Sequence, residues 1–341
     1  MKATPRIALA LTLLMTMCSA IHAAQKIDLQ FRPTPADKQT LRVTSTLDMS
    51  IKMGPQQQDI TNSRTITLAF EPAETTADGT VLVRVRFVAI REKGGMKGAG
   101  PGVEYDSTKP QDPGDPMAGH YSAFIGAGFP IKVSPRGEIV AMGTDELFLA
   151  VAGNIMERED KMMRERLKER ADQAIERANQ RFGSREERKQ ALKKQVEEFP
   201  LLNAKAIHGL LNSVVARFPK DPVQTGGGWE APITPIPSTP FEMTATHVLK
   251  AMKPDACTIE IKGQRTTQDP PIVSQTGPAQ TSMKLAGTYT ATAKVDPRTG
   301  LLLSKQAQMK FTGETQSPTP QAKPGTVQTT MEGTTTVEAV E

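Results

Sequence analysis

Few residues of this 341-residue chain are of the types that do chemistry, and their spacing does not favour it. Past the first two dozen residues the histidines are His120, His208 and His247, and no two of them stand at metal-ligand spacing. The two cysteines, Cys18 and Cys257, cannot frame a disulfide scaffold. Cys257 lies in an alternating apolar run with no base partner nearby, so it reads as a small core residue. The sequence has no Gly-x-Ser-x-Gly elbow and no His-Glu-x-x-His helix. Glu157 and Asp160 lie in a charged run opposite arginines, where a carboxylate stays hydrated and is a poor general acid. The glycines of Gly98-Ala99-Gly100-Pro101-Gly102 lack the following helix and lysine of a phosphate cradle, and read as a loop. Aromatics at 4% are too few for a stacking platform, and a net charge of +5 is no nucleic-acid footprint. The residues point away from catalysis, and no catalytic, metal or cofactor-binding residue is assigned.

Compartment is more legible. Met1–Ala23 has the layout of a signal peptide, with Lys2 and Arg6 ahead of an apolar stretch, Ile7–Cys18, and small residues at Ser19, Ala20, Ala23 and Ala24. Cleavage near Ala23 and export to the periplasm, cell envelope or medium are expected. Met17 stands where lipoprotein processing at Cys18 favours a small residue. No later apolar run is long enough to span a membrane as a helix.

The elements that must carry any site are mainly strands. Leu41, Val43, Leu47, Met49, Ile51 and Met53 alternate with Arg42, Thr44, Thr46, Asp48 and Lys52, so one face is apolar and the other wet. Thr65–Phe70 repeats the pattern. Asp78-Gly79 then turns the chain into Thr80–Ile90, where Val81, Val83, Val85 and Phe87 alternate with Arg84 and Arg86. Glu92–Pro116 is a Gly/Pro-rich loop, and Phe129–Met142 reads as a hairpin turning at Ser134-Pro135-Arg136-Gly137. These are antiparallel patterns, alternating where a buried parallel strand would be continuously apolar.

From Thr144 to about Arg181 the chain is dense in Glu, Arg, Lys and Met. Glu157–Lys161 and Asp160–Arg164 are acid-before-base pairs suited to an exposed helix. Ser184-Arg185-Glu186-Glu187 is a capping box that starts a second helix running to Phe199. Asn203–Arg217 is a third, far more apolar piece. The first two carry only a thin stripe (Met163, Leu167 and three alanines, then Leu192, Val196 and Phe199). They are expected to project as a solvated hairpin, or as an arm that docks a partner or self-associates.

Pro219–Pro240 reads as a linker holding Gly226-Gly227-Gly228 and Trp229, the one tryptophan. Strands resume with Phe241–Lys250 and Cys257–Lys262, then Leu285–Val295, Leu301–Phe311 and a Thr-rich Val327–Val340. Lys132-Val133-Ser134-Pro135-Arg136-Gly137 and Lys294-Val295-Asp296-Pro297-Arg298-Thr299-Gly300 are alike apart from one inserted residue. Generic turn chemistry and an internal duplication both account for that.

Three segments carry a family resemblance: Val133–Val140, Phe218-Pro219 leading to Val223-x-x-Gly226-x-x-Trp229, and Asp296–Leu301. With them the chain resembles a family of exported bacterial proteins with a domain of unknown function. The charged helices are longer than that pattern, and Gly227 stands where an acidic residue is usual. The Asp-Pro-Arg-Thr-Gly turn is also similar to one in half-barrel lipoprotein carriers. The resemblance implies export and a β-rich fold, and no particular activity.

The expectation is an α+β protein: a signal peptide over 1–23, then one β-rich domain over 24–341 formed from 39–143 and 241–341. That domain is an antiparallel curved sheet, open barrel or sandwich, with a helical insertion at 144–218 and a linker at 219–240. Sixteen methionines, several on strand faces, suit an adaptable apolar interior. The expected partners are an apolar or lipid-like ligand, or an envelope protein, with no nucleic acid and no membrane span once the signal is removed.

Overall fold

The computed structural model describes residues 26–98, 102–110, 116–199, 202–237, 241–276, 279–316 and 326–340. The expected signal peptide with Cys18, the middle of the 98–102 glycine cluster and the Pro318–Gly325 loop lie outside these residues. Among those described, thirteen strands form a single antiparallel sheet. The first six are β1 (Gln39–Met53), β2 (Gln56–Thr75), β3 (Val81–Met96), β4 (Val103–Asp106), β5 (Gly128–Val133) and β6 (Ile139–Met142). After the helices come β7 (Gly228–Ile233), β8 (Met243–Met252), β9 (Cys257–Arg265), β10 (Ile272–Thr276), β11 (Ala279–Val295), β12 (Leu302–Gln316) and β13 (Thr326–Val340). The sheet order is β6-β5-β3-β2-β1-β13-β12-β11-β9-β8-β7, with β4 attached to β3 and β10 to β11. Its ends do not meet, so the sheet is open and not a barrel.

The alternation read from the sequence sets the two faces. Leu41 and Val43 of β1 stand opposite Leu68 and Ile66 of β2 and Ala339 and Val337 of β13, so apolar residues align across strands on one inward face. Val81, Val83, Val85, Phe129, Ile131 and Val133 continue that face across β3 and β5. The outward face carries Thr, Gln and ion pairs such as Arg42–Glu338 at 3.0 Å, which is how an antiparallel sheet meets water.

The sheet must curl. Phe31 N–H donates to Pro135 O at 2.8 Å and Arg32 N–H to Thr299 O at 2.9 Å. Those carbonyls belong to the β5–β6 and β11–β12 turns, which are five strand spacings apart on the path from β5 to β12. In a flat sheet that is about 24 Å, yet consecutive residues of one segment span it. The segment Ile27–Arg32 therefore clamps the two similar turns together. Arg136 adds hydrogen bonds to Asp28, Leu29 O and Lys220 O. Leu29 and Phe31 are buried beneath the clamp.

Of five α-helices among the described residues, α1 (Pro116–Phe124) lies between β4 and β5, while α2 (Thr144–Leu167), α3 (Ala171–Gln180), α4 (Arg185–Glu197) and α5 (Ala204–Val214) lie between the two runs of strands. The insertion divides in two. The start of α2 joins the core through Leu147, Phe148 and Val151, and α5 is buried along most of its length. The charged stretch of α2, with α3 and α4, forms the expected arm. Arg188 of α4 pins it, donating to Asp160 of α2 at 2.9 Å, Glu159 at 2.7 Å and Asn179 of α3 at 3.1 Å. Asp160 is therefore only 2% exposed, against the expectation of a hydrated carboxylate. Neither expected helical pair forms; Asp160 pairs with Arg185 and Arg188, and Lys161 with Glu165. Ser184 does cap α4 as expected, its Oγ accepting from Glu187 N–H.

Other departures are local. The single helix expected over 144–181 breaks at Lys168, which has φ +46°. α1 was not expected; it is short, and Ala118, Tyr121, Ala123 and Phe124 bury several sides at once, so it shows no helical alternation. The Pro/Gly stretches hold β4 and β7, edge strands where Pro232 is tolerated.

The clamp predicts an asymmetry between two glycines of positive φ. At Gly54 (φ +59°) an added Cβ meets nothing, whereas at Gly300 (φ +72°) it would strike Gln30 O and the Phe31 backbone. Gly54→Ala should cost about 1 kcal/mol, and Gly300→Ala at least about 2 kcal/mol more, read from urea midpoints. Equal losses would show that the Ile27–Arg32 segment is not held there.

A candidate ligand-binding hollow

The inward face is covered unequally along the strands. At the clamped end α5 lies across it. Lys305 of β12 donates to Ser213 O at 3.2 Å, satisfying a carbonyl at the C-terminus of α5. His247 of β8 is buried there, stacked on Trp229 with ring centroids 5.4 Å apart, and its Nδ1 donates to Ala245 O at 3.1 Å. The cavity between α5 and the sheet at this point is only about 20 Å³, room for one water. This end is filled.

The family-like segments converge here. Phe218 N–H donates to Arg136 O, Ile27 and Val223 exchange both backbone hydrogen bonds, and Gly226 and Gly227 exchange bonds with Leu249. Val133, Phe218 and Val223 are buried. Those segments build the seal.

The opposite end is not filled. A hollow of about 210 Å³ lies over the inward face of β1, β2, β12 and β13. Its apolar walls are Leu47, Met49, Ile60 and Met309, roofed by Ile236 and Pro237 from the chain after β7. The register explains the space. Leu47, Gly333 and Met309 stand side by side on β1, β13 and β12. A Cβ on Gly333 would sit 2.6 Å from Met309 Cε, so the glycine lets the methionine lie flat. The strands continue past the hollow to a lip where Met53 and Met96 are 40% and 42% exposed.

One end of the hollow is polar. Arg64 of β2 makes a two-pronged pair with Glu92 of β3, and Asn62 donates to the same carboxylate at 2.6 Å. Arg64 and Glu92 are both buried. Tyr121 of α1 lies against them, stacked on Tyr105, and its hydroxyl is pushed up to about 12 by burial and then by the charge of Glu92. The cation and anion cancel, so the hollow has polar groups and no net charge.

The residues weighed for chemistry are dispersed. His120 stacks on Phe199 in the helical layer, His208 of α5 faces Glu242 at 4.0 Å, and His247 belongs to the sealed end. Cys257 is buried on β9, and burial raises its thiol, which disfavours the thiolate. No cluster of three or more His, Cys, Asp or Glu that could hold a metal occurs among the described residues. Methionine content pointed to an adaptable apolar interior, and Met49 and Met309 do wall the hollow, but composition did not locate it. The available signal was the set of glycines at inward register positions, Gly287, Gly313 and Gly333, beside bulky Phe311, Leu285 and Met309.

His247 makes the sealed end sensitive to acid. Burial, with the nearby charges of Lys305 and Arg217, lowers its pKa from 6.5 to about 4. Between those values the unfolded chain binds the proton and the fold does not, so stability falls as pH drops through that window, by about 3 kcal/mol in all. His247→Phe keeps a ring on Trp229 and takes no proton. Its urea midpoint relative to wild type should rise between pH 7 and pH 4.5, and a pH-independent difference would contradict the burial.

Comparison with known proteins adds a family. No curated protein matches the sequence. Among solved structures, one described as showing lipid–protein interactions in lipovitellin superposes over 90% of this chain, with a TM-score of 0.46 and 8% identity. The match spans about a quarter of that protein's chain (25%). Pseudomonas aeruginosa OccK7 (OpdD) gives a TM-score of 0.20 at 6% identity, over 89% of this chain and 100% of that one. A family model matches residues 78–177 and 169–302, two overlapping stretches that take in β3 to β11, the helical insertion and all three signature segments. The chain belongs to that family, the family of unknown function DUF6263.

Proposed function

We propose that the protein is an exported binding protein that takes an uncharged apolar molecule, such as a single hydrocarbon chain, into the methionine-walled hollow. One observation carries this reading: the inward face is sealed by α5 at one end and left open over Leu47, Met49 and Met309 at the other. An exposed apolar surface tends to be covered, and methionine walls adapt to ligands of variable shape. Size and charge narrow the ligand. At about 210 Å³ the space is below the range of drug-sized sites, about 300–1,000 Å³, so it suits one chain or ring system and not a whole phospholipid. The neutralised Arg64–Glu92 pair leaves nothing to attract an ion. Binding without catalysis is supported by how the interior's ionisable groups are engaged, Arg64 by Glu92 and Lys305 by Ser213 O. Export rests on the pattern of Met1–Ala23, and N-terminal sequencing of the protein recovered from its host would show it as a chain starting near Ala24.

Titration with the uncharged fluorophore N-phenyl-1-naphthylamine tests the seat of binding. Saturable fluorescence enhancement is expected for the wild type. Met49→Trp, which fills the hollow, should weaken it by about tenfold or more, while Thr292→Trp on the outward face leaves it unchanged. Unaltered binding by the Met49 variant would remove the hollow from consideration.

A further inference from the structure

The arm carries a second cleft, separate from the sheet. α3 and α4 both pack on α2 and spread apart, leaving an open cleft of about 590 Å³ with α2 as its floor. Three helices present ordered stripes to it. From α2 come Glu159, Met162, Met163, Arg166 and Leu167, at i, i+3, i+4, i+7 and i+8. α3 and the turn after it give Ala178, Arg181 and Phe182, and α4 gives Arg188, Leu192 and Gln195. Such stripes are the ridges and grooves into which a further helix packs. Three of them around one cleft are a four-helix bundle short of one member. Its apolar residues are open to water, with Leu167 43% and Phe182 47% exposed.

Charge selects the occupant. Glu159 and Arg188 cancel at 2.7 Å, whereas Arg166 and Arg181 form no ion pair among the described residues. The cleft therefore has an apolar floor and two uncompensated cations. A second copy docking its own arm would bring the same arginines together, which disfavours self-association. We infer that the cleft between α3 and α4 is a docking site for an amphipathic helix of another protein, one whose apolar stripe is flanked by Glu or Asp.

The probe is a pair of labelled synthetic helical peptides of about 18 residues, long enough to lie along the cleft at 1.5 Å per residue. Both carry the same leucine stripe, with either Glu or Lys flanks. Fluorescence anisotropy with the full mature protein should show the Glu peptide binding about tenfold more tightly than the Lys peptide at low salt. Arg166→Glu/Arg181→Glu should reverse that preference. Both side chains are exposed, so the variant's melting temperature should match the wild type and show that it folds. Absence of binding, equal binding of the two peptides, or a preference that the charge reversal does not alter would overturn the inference. So would an arm-dependent dimer in sedimentation, or capture of the wild type by anionic phosphatidylglycerol vesicles in preference to the peptide. Neither arginine lines the sheet hollow, so the fluorophore titration and the peptide titration fail independently.

Discussion

The structure depends on one constraint: a curled open sheet has an apolar inward face that no second sheet covers among the described residues. The clamp by Ile27–Arg32 on the β5–β6 and β11–β12 turns holds the curl, and α5 fills the space the curl creates. Without the clamp the two turns would lie about 24 Å apart; with it, α5 and the chain leaving it reach both sides, Lys305 of β12 donating to Ser213 O and Phe218 N–H donating to Arg136 O of the β5–β6 turn. Cover of this kind is finite. α5 has eleven residues, about 16 Å of helix, whereas β1, β12 and β13 each run to fifteen residues and β2 to twenty. At about 3.3 Å per residue the strands outrun their plug, and the hollow lies over the part left uncovered.

That mismatch gives the family's signature residues a structural role. Pro135-Arg136-Gly137, Phe218-Pro219 and Pro297–Gly300 hold the sealed end. The matched region, 78–302, contains only the roof of the hollow, Ile236 and Pro237, while the walls on β1, β2, β12 and β13 lie beyond it.

Much of the fold was legible because its signals are local. Strict alternation gave β1, β3, β8 and β9, and the Asp78-Gly79 and Asp296–Gly300 turns fell where their residues require. Ser184 and Glu187 fixed the start of α4. What escaped depends on partners distant in sequence. Asp160 looks solvated until Arg188, 28 residues on, closes over it from another helix. β4, β7 and β10 are short edge or appended strands set among polar, Gly- or Pro-containing stretches that read as loops, and only their pairing reveals them. The break at Lys168 has no glycine or proline to announce it. The hollow was the least legible feature of all, because it is made by the side chain that Gly333 lacks beside a methionine from a neighbouring strand.

The most direct measurement is a crystal of the protein pressurised with xenon, which settles in dry apolar space. The account predicts xenon between Met49 and Met309 and none beneath α5. Xenon under α5 instead, or a lower hollow filled by side chains with no xenon at all, would contradict the claim that this sheet is sealed at one end and open at the other.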